Sequence, residues 1–170
     1  TPEGAFNTEL NSSWSATGLN PNFFPIFPEL VDDSYATIGL DVPALMSGIS
    51  GAENPTLVED VSQPLTNFFM TPLAEAINVS TVYGASYFVT NGAANGLPDG
   101  NNRVLVMQVT TTGEINGTLN YQIFPEGIGS NDIGLDRGQL GNERLVSFQK
   151  AGNKLLLIQP NLSFRANTDN

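Results

Sequence analysis

Carboxylates are the main side chains here that can serve as general acids, general bases or ligands, because the 170-residue sequence contains no histidine and no cysteine. Zinc and copper sites draw chiefly on imidazole and thiolate, and serine or cysteine nucleophiles usually need an imidazole base beside them. What is left is paired-carboxylate chemistry, oxygen-ligated calcium, or no chemistry. Three clusters have suitable residue types. Asp32 and Asp33, with Glu29 and Asp41 close by in sequence, could furnish an acid–base pair or part of a calcium shell; a solvated approach to the strand that follows is the expected role. Asp99-Gly100-Asn101-Asn102 and Asn131, Asp132 and Asp136 offer similar oxygens. The first has equally the composition of a turn, and Asp136 stands beside Arg137, which makes an ion pair the expected use. None has the spacing of the twelve-residue calcium loop.

Other catalytic patterns are weaker. Ser147 and Lys150 are the nearest serine–lysine pair, but three residues apart on a strand they would face opposite ways. Gly127-Ile128-Gly129 lacks the third glycine of a dinucleotide fingerprint and opens no helix pattern. The sequence therefore predicts no enzyme, no catalytic residue and no cofactor, with calcium the one candidate ion.

Charge narrows the partners. Seventeen acidic residues against six basic ones leave a formal charge of -11, which repels phosphate backbones and anionic membrane surfaces, so nucleic acid is not an expected partner. Residues 1–125 carry Arg103 as their one cation, whereas Arg137, Arg144, Lys150, Lys154 and Arg165 all lie beyond. Two stretches of different character thus meet near residues 125–129. The longest apolar runs, such as Leu155–Ile158, are far too short to insert across a bilayer. No secretory signal is visible, so export would require one that is removed or lies outside this sequence. Absence of cysteine leaves the redox compartment open.

The elements that would position any site read as β-rich. With 40% hydrophobic and only 14% charged residues, the chain can bury a core without disulfides, hiding roughly 70% of its unfolded surface at this length. Prolines at 21, 25 and 28 exclude regular helix over residues 22–28, where an extended strap is expected. Tyr35–Leu40 and Ser86–Thr90 read as strands. Loop is expected over residues 41–61, a long turn over 91–102, and a short helix over 71–77, where Thr71 caps and Pro72 takes the first helical position. Residues 103–111 are apolar on both faces and should lie central in a sheet. Ile115, Leu119, Tyr121 and Ile123 alternate with polar residues, marking a half-buried partner strand. A second hairpin is predicted from residues 144–149 and 154–159 about a turn at 151–153. The expected fold is all-β: an antiparallel β-sandwich, jelly-roll or immunoglobulin-like, with one short helix and extended terminal segments. Its predicted parts are a strap over 1–30, a sandwich core over 31–125 and a C-terminal hairpin segment over 126–170, packed on the core or on a neighbouring subunit.

Residues 127–161, with the run Gly129-Ser-Asn-Asp-Ile-Gly-Leu-Asp-Arg-Gly138, resemble a segment upstream of the catalytic domain in large secreted bacterial zinc metallopeptidases. That family binds zinc through a helical His-Glu-x-x-His motif, for which this sequence has no match, so the resemblance implies a β hairpin and no catalytic residue. Residues 33–39, 86–89 and 103–124 are similar to β-rich modules of secreted bacterial surface proteins, which implies export and a non-catalytic role.

Asn11, Asn78, Asn116 and Asn161 each begin an Asn-x-Ser/Thr acceptor sequence, and Thr110, Thr111 and Thr112 are candidates for O-linked sugar. Phe23, Phe24 and Phe27 either fill their own core, which is expected, or reach into a neighbour. Leu155, Leu156, Leu157 and Ile158 form an apolar near-terminal strand suited to donation. Together these features predict an extracellular or cell-surface structural protein, a self-assembling subunit of a fibre or layer joined by strand exchange or edge pairing, whose partner is itself. The alternatives are a carbohydrate- or calcium-binding module, with glycans as partners, and a non-catalytic accessory segment of a metallopeptidase.

Overall fold

A computed structural model of the chain describes residues 1–79, 84–101 and 103–115, together with the backbone of two strands at 147–151 and 154–158. The strands are β1 (Tyr35–Ala36), β2 (Thr56–Glu59), β3 (Ala85–Phe88), β4 (Leu105–Thr110), β5 (Ser147–Ala151) and β6 (Lys154–Ile158), and one helix, α1 (Pro64–Met70), lies between β2 and β3. They form a four-stranded sheet in the order β1-β4-β6-β5 and a two-stranded sheet β2-β3. Every strand pairing among the described residues is antiparallel. The described residues are thus β-rich, with two small antiparallel sheets and one α-helix.

β4 lies between β1 and β6, as its two-sided apolar pattern predicts. Its pairing with β6 shifts register between Leu105 and Met107. The irregularity leaves the Val106 carbonyl to accept from the Thr37 amide at 3.0 Å and from the Tyr87 hydroxyl at 2.7 Å. Tyr87 belongs to β3, so one phenol bonds the small sheet to the centre of the large one. Burial pushes that phenol well above its ordinary pKa, so it stays a neutral donor.

The small sheet shows why register matters. Leu57 pairs with Tyr87 and both turn inward, while Thr56 with Phe88 and Val58 with Ser86 turn outward. Beneath it, Ala5, Ala36, Leu65, Phe68, Phe69 and Val109 make the main core, with Trp14, Ile77 and Met107 against it. Phe68 and Phe69 meet edge-on with centroids 4.9 Å apart, the geometry the ring quadrupole favours. A second cluster joins Ala16, Leu19, Leu30 and Tyr35, with Phe24 packed on it.

Three sequence expectations need correction. The predicted extended strap is instead a series of 3-10 turns at Ala16–Gly18, Pro21–Phe23 and Pro28–Asp32. Proline fixes φ for the first residue of a turn as readily as for an extended chain, and the Asn20 side chain accepts from the Asn22 amide at 3.0 Å to favour the turn. This segment also belongs to the body. Ala5 bridges to Ala74, Ser15 bridges to Ala36, and the Phe6 amide donates to the Thr110 carbonyl at 2.7 Å.

The helix expected at 71–77 forms about two turns of sequence earlier, at Pro64–Met70. Pro64 takes the first helical position, and the Glu59 carboxylate accepts from the Leu65 amide at 3.0 Å, the Thr66 amide at 3.3 Å and the Thr66 hydroxyl. At the other end the Asn7 amide donates to the Phe68 carbonyl at 2.7 Å and the Thr71 carbonyl at 2.6 Å, and Thr71 is extended. Thr71-Pro72 therefore marks the helix exit, a place proline also favours. Likewise β2 lies inside the stretch expected to be loop.

Replacing Tyr87 by phenylalanine removes the bond between the sheets while Thr37 still satisfies the Val106 carbonyl. The variant should unfold about 1 kcal/mol more easily, measured as a lower urea midpoint with an unchanged slope.

Candidate functional site

Among the described residues the carboxylates serve as hydrogen-bond acceptors within the fold. Asp33, expected to be solvated, is fully buried. Its Oδ1 accepts from the Thr8 amide and its Oδ2 from the Asn11 side-chain amide, both at 2.6 Å, while its backbone carbonyl accepts from Gln108 Nε2 at 2.7 Å. These bonds tether residues 8–11 and β4 to the entry of β1, which makes Asp33 a structural hub. Burial dominates the bonds and raises its pKa above the usual 3.8. Asp99 takes the turn role instead: its Oδ1 accepts from the Asn101 and Arg103 amides at 2.8 and 3.0 Å, and Oδ2 pairs with the Arg103 guanidinium at 3.2 Å. Those bonds hold the carboxyl below its usual range. Among the described residues no three acidic side chains gather where they could hold a metal ion. Asn131, Asp132 and Asp136 lie outside the described residues.

Burial also sorts the candidate glycan acceptors. Asn11 is withdrawn, because it is buried and its side chain both donates to Asp33 and accepts from the Ser13 amide at 3.1 Å. Thr111 is withdrawn for the same reason: it is buried and its hydroxyl donates to the Gly4 carbonyl at 2.7 Å. Thr110 is half-buried with its hydroxyl enclosed, so it too has no room for a sugar. Asn78 and Thr112 are exposed. Asn116 and Asn161 lie outside the described residues.

The three aromatic candidates divide. Phe24 packs on the second core cluster as expected. Phe23 and Phe27 are exposed, contrary to the core expectation, with rings 6.4 Å apart, and Ile26 between them is 65% exposed. The less exposed residues of this knuckle, Pro21 and Phe24, are three apart, the period of a 3-10 turn, whereas an extended strap would have alternated. Leu155, Leu156, Leu157 and Ile158 lie on β6, paired to Val109, Gln108, Met107 and Leu105 of β4. The strand predicted as a donor thus fills the slot beside the central strand. β5 forms the outer strand, and no strand among the described residues pairs its other edge.

One groove, of about 380 Å³, runs beside α1. Pro64, Asn67, Phe68 and Thr71 form one wall, at the spacing of a single helix face. Ala74, Ala76 and Asn78 form the other, at the alternate spacing of an extended chain. Among the described residues no charged side chain lines it. Ala76, Ile77, Asn78 and Val79 make no backbone hydrogen bond among the described residues. This groove was not foreseen, because residues 71–77 were expected to be helical, which would have bonded their backbone internally. Pro72 and the non-helical spacing of Ala74, Ala76 and Asn78 were the available signal.

No protein-family model matches the chain, and no curated protein or solved structure is significantly similar to it.

The raised pKa of Asp33 sets the sign of a pH effect. The folded chain binds this proton more tightly than the unfolded chain, so the stability linked to Asp33 is greatest at low pH and is lost as pH rises through its folded pKa. Asp33 should therefore add more to the melting temperature at pH 3.8 than at pH 7. Replacing Asp33 by asparagine puts a donor against Thr8 or Asn11 and costs about 1–3 kcal/mol, yet calorimetry should show a smaller difference between the two pH values than for the unsubstituted chain.

Proposed function

We propose that this chain is a non-enzymatic structural subunit of an exported surface fibre or layer, built on a β-sandwich and self-assembling by pairing of strand edges. The observation that carries this reading is the addition of β6 to β4. The hairpin β5–β6 fills a slot in the body's sheet across a connection that spans residues 111–146, and no strand among the described residues pairs the other edge of its outer strand. A hairpin held by one strand pairing and joined by a long connection is the arrangement in which a neighbour can supply the same element, at little change in contact energy. Exposed Phe23, Ile26 and Phe27 add apolar surface that association would cover.

The resemblance of residues 127–161 to a metallopeptidase segment supports the same non-catalytic role, because the matched stretch brings no zinc ligand. The neutral groove beside α1 favours one second reading, a binding module for an uncharged ligand such as a saccharide. Calcium gains no support at Asp99, whose oxygens serve its own turn and Arg103.

Light scattering coupled to size exclusion tests the proposal. The purified chain should form assemblies that grow with concentration, visible by negative-stain microscopy. Replacing both Leu155 and Leu157 by aspartate should abolish them while far-ultraviolet dichroism retains the β signal of the body. A wild-type chain that remains monomeric at millimolar concentration overturns the proposal.

A further inference from the structure

We infer that Asn91 is a site of spontaneous covalent modification, losing its side-chain amide by cyclisation onto the Gly92 nitrogen, and that the fold protects the equivalent amide of Asn95 four residues on. The sequence repeats one dipeptide chemistry at even spacing: Asn91-Gly92, Asn95-Gly96 and Asp99-Gly100. A glycine in second place has no Cβ to obstruct the approach of its nitrogen to the preceding side-chain carbonyl carbon. Local sequence therefore gives Asn91 and Asn95 the same reactivity, and only their surroundings separate them. The remaining Asn-Gly pair, Asn116-Gly117, lies outside the described residues.

At Asn91 nothing holds either reacting group. Asn91 and Gly92 are both exposed, and among the described residues neither the Asn91 side chain nor the Gly92 amide makes a hydrogen bond. The Ala93 amide donates to the Thr90 carbonyl at 3.1 Å, closing a turn in which Gly92 has φ +94 and open space where a Cβ would lie. Only this local turn must deform for the two groups to meet.

Asn95 has the opposite setting. It is 3% exposed, its Nδ2 donates to the Ile38 and Glu53 carbonyls, and its Oδ1 accepts from the Glu53 amide. The Gly96 amide, which would have to attack, donates to the Ala93 carbonyl at 3.0 Å. Cyclisation there must break all of these bonds, and the product would aim a carboxylate at two carbonyl oxygens that now receive N–H donors. Asp99 is exposed, but its carboxylate accepts from the Asn101 and Arg103 amides and pairs with the Arg103 guanidinium. An ionised carboxylate so held is a poor electrophile.

The reaction needs water and no other reagent. The Gly92 nitrogen gives its proton to base and bonds to Asn91 Cγ, the Cγ–Nδ2 bond breaks, and ammonia leaves. Water then opens the cyclic imide at either carbonyl, giving aspartate or its β-linked isomer. Each event adds one negative charge to a chain already at -11.

The test ages the full chain at neutral and at alkaline pH, with far-ultraviolet dichroism to show that it stays folded. Both sites are followed by mass spectrometry on the peptide released by cleavage after Phe88. Asn91 should convert at least about tenfold faster than Asn95, whose reaction waits on local opening of the fold. Its rate should increase with pH, because base removes the attacking amide's proton. In denaturing urea the two rates should converge, and Gly92→Ala should slow conversion of Asn91 there, where strain in the turn does not enter. Equal rates at the two sites in the folded chain, or faster conversion at Asn95, overturn the inference. So does an Asn91 that survives in the folded chain yet converts in urea. A tenfold gap that persists in urea assigns the difference to sequence and overturns protection by the fold.

Discussion

The backbone of β4 has donors and acceptors along both edges and lies in the interior, where each must find a partner or cost free energy. The chain brings distant segments together to meet that demand. β1 pairs with one edge and β6 with the other. Beyond the regular pairing, the Gly39 amide donates to the Leu105 carbonyl, Thr37 and Tyr87 donate to Val106, Phe6 donates to Thr110, and the Ser34 hydroxyl accepts from the Thr110 amide. The amino-terminal turns, the small sheet and the carboxy-terminal hairpin are therefore all organised by one six-residue strand. The hairpin supplies the partner along one edge of it.

A chain without cysteine has no disulfide to hold such distant segments, and buried amides take that place. Asn95 donates to the Ile38 carbonyl at 2.6 Å and the Glu53 carbonyl at 3.0 Å and accepts from the Glu53 amide at 2.9 Å, clamping the end of β1 to the approach of β2. Gly39 has φ +64, and a Cβ there would meet the Asn95 carbonyl oxygen, so the clamp needs glycine on sterics and conformation together. Asn7 does the same for the helix exit, and Asn11 for Asp33. A buried amide that makes its bonds is worth more than its net energy suggests, since removing one partner strands the other.

What was legible in the sequence follows from which interactions are local. β3, β4 and the hairpin announced themselves through β-branched and aromatic content, a two-sided apolar run and a Gly-Asn turn, all set by neighbours in sequence. β2 was missed because Thr56–Glu59 is four residues between Pro55 and Asp60, too short for alternation to stand out. The helix was displaced because Pro64 and Pro72 carry the same local signal. The choice between them was made by Glu59 from a preceding strand and Asn7 from far upstream, neither of which periodicity can see. The asparagines misled most: in sequence they resemble turns and glycan acceptors, and only tertiary structure tells Asn11, buried on a carboxylate, from Asn78, exposed beside a groove.

The same distinction explains the acidity. Glu53 accepts from the Thr90 amide and hydroxyl, Glu59 from the start of α1, Asp60 from the Ser62 amide and hydroxyl, Asp99 from two turn amides, and Asp33 from Thr8. Carboxylates that accept several N–H bonds satisfy the orphan donors of short strands and turns, which a chain with little regular structure has in abundance. Their charge is a by-product of that hydrogen bonding, and Arg103 is the one cation among residues 1–125 to offset it. A compact body made this way repels its own copies at long range. Five of the six cations fall at residues 137–165, outside the stretch whose carboxylates cap these turns. The charge break near residue 125 thus separates a body held together by carboxylate acceptors from a segment that carries most of the basic side chains.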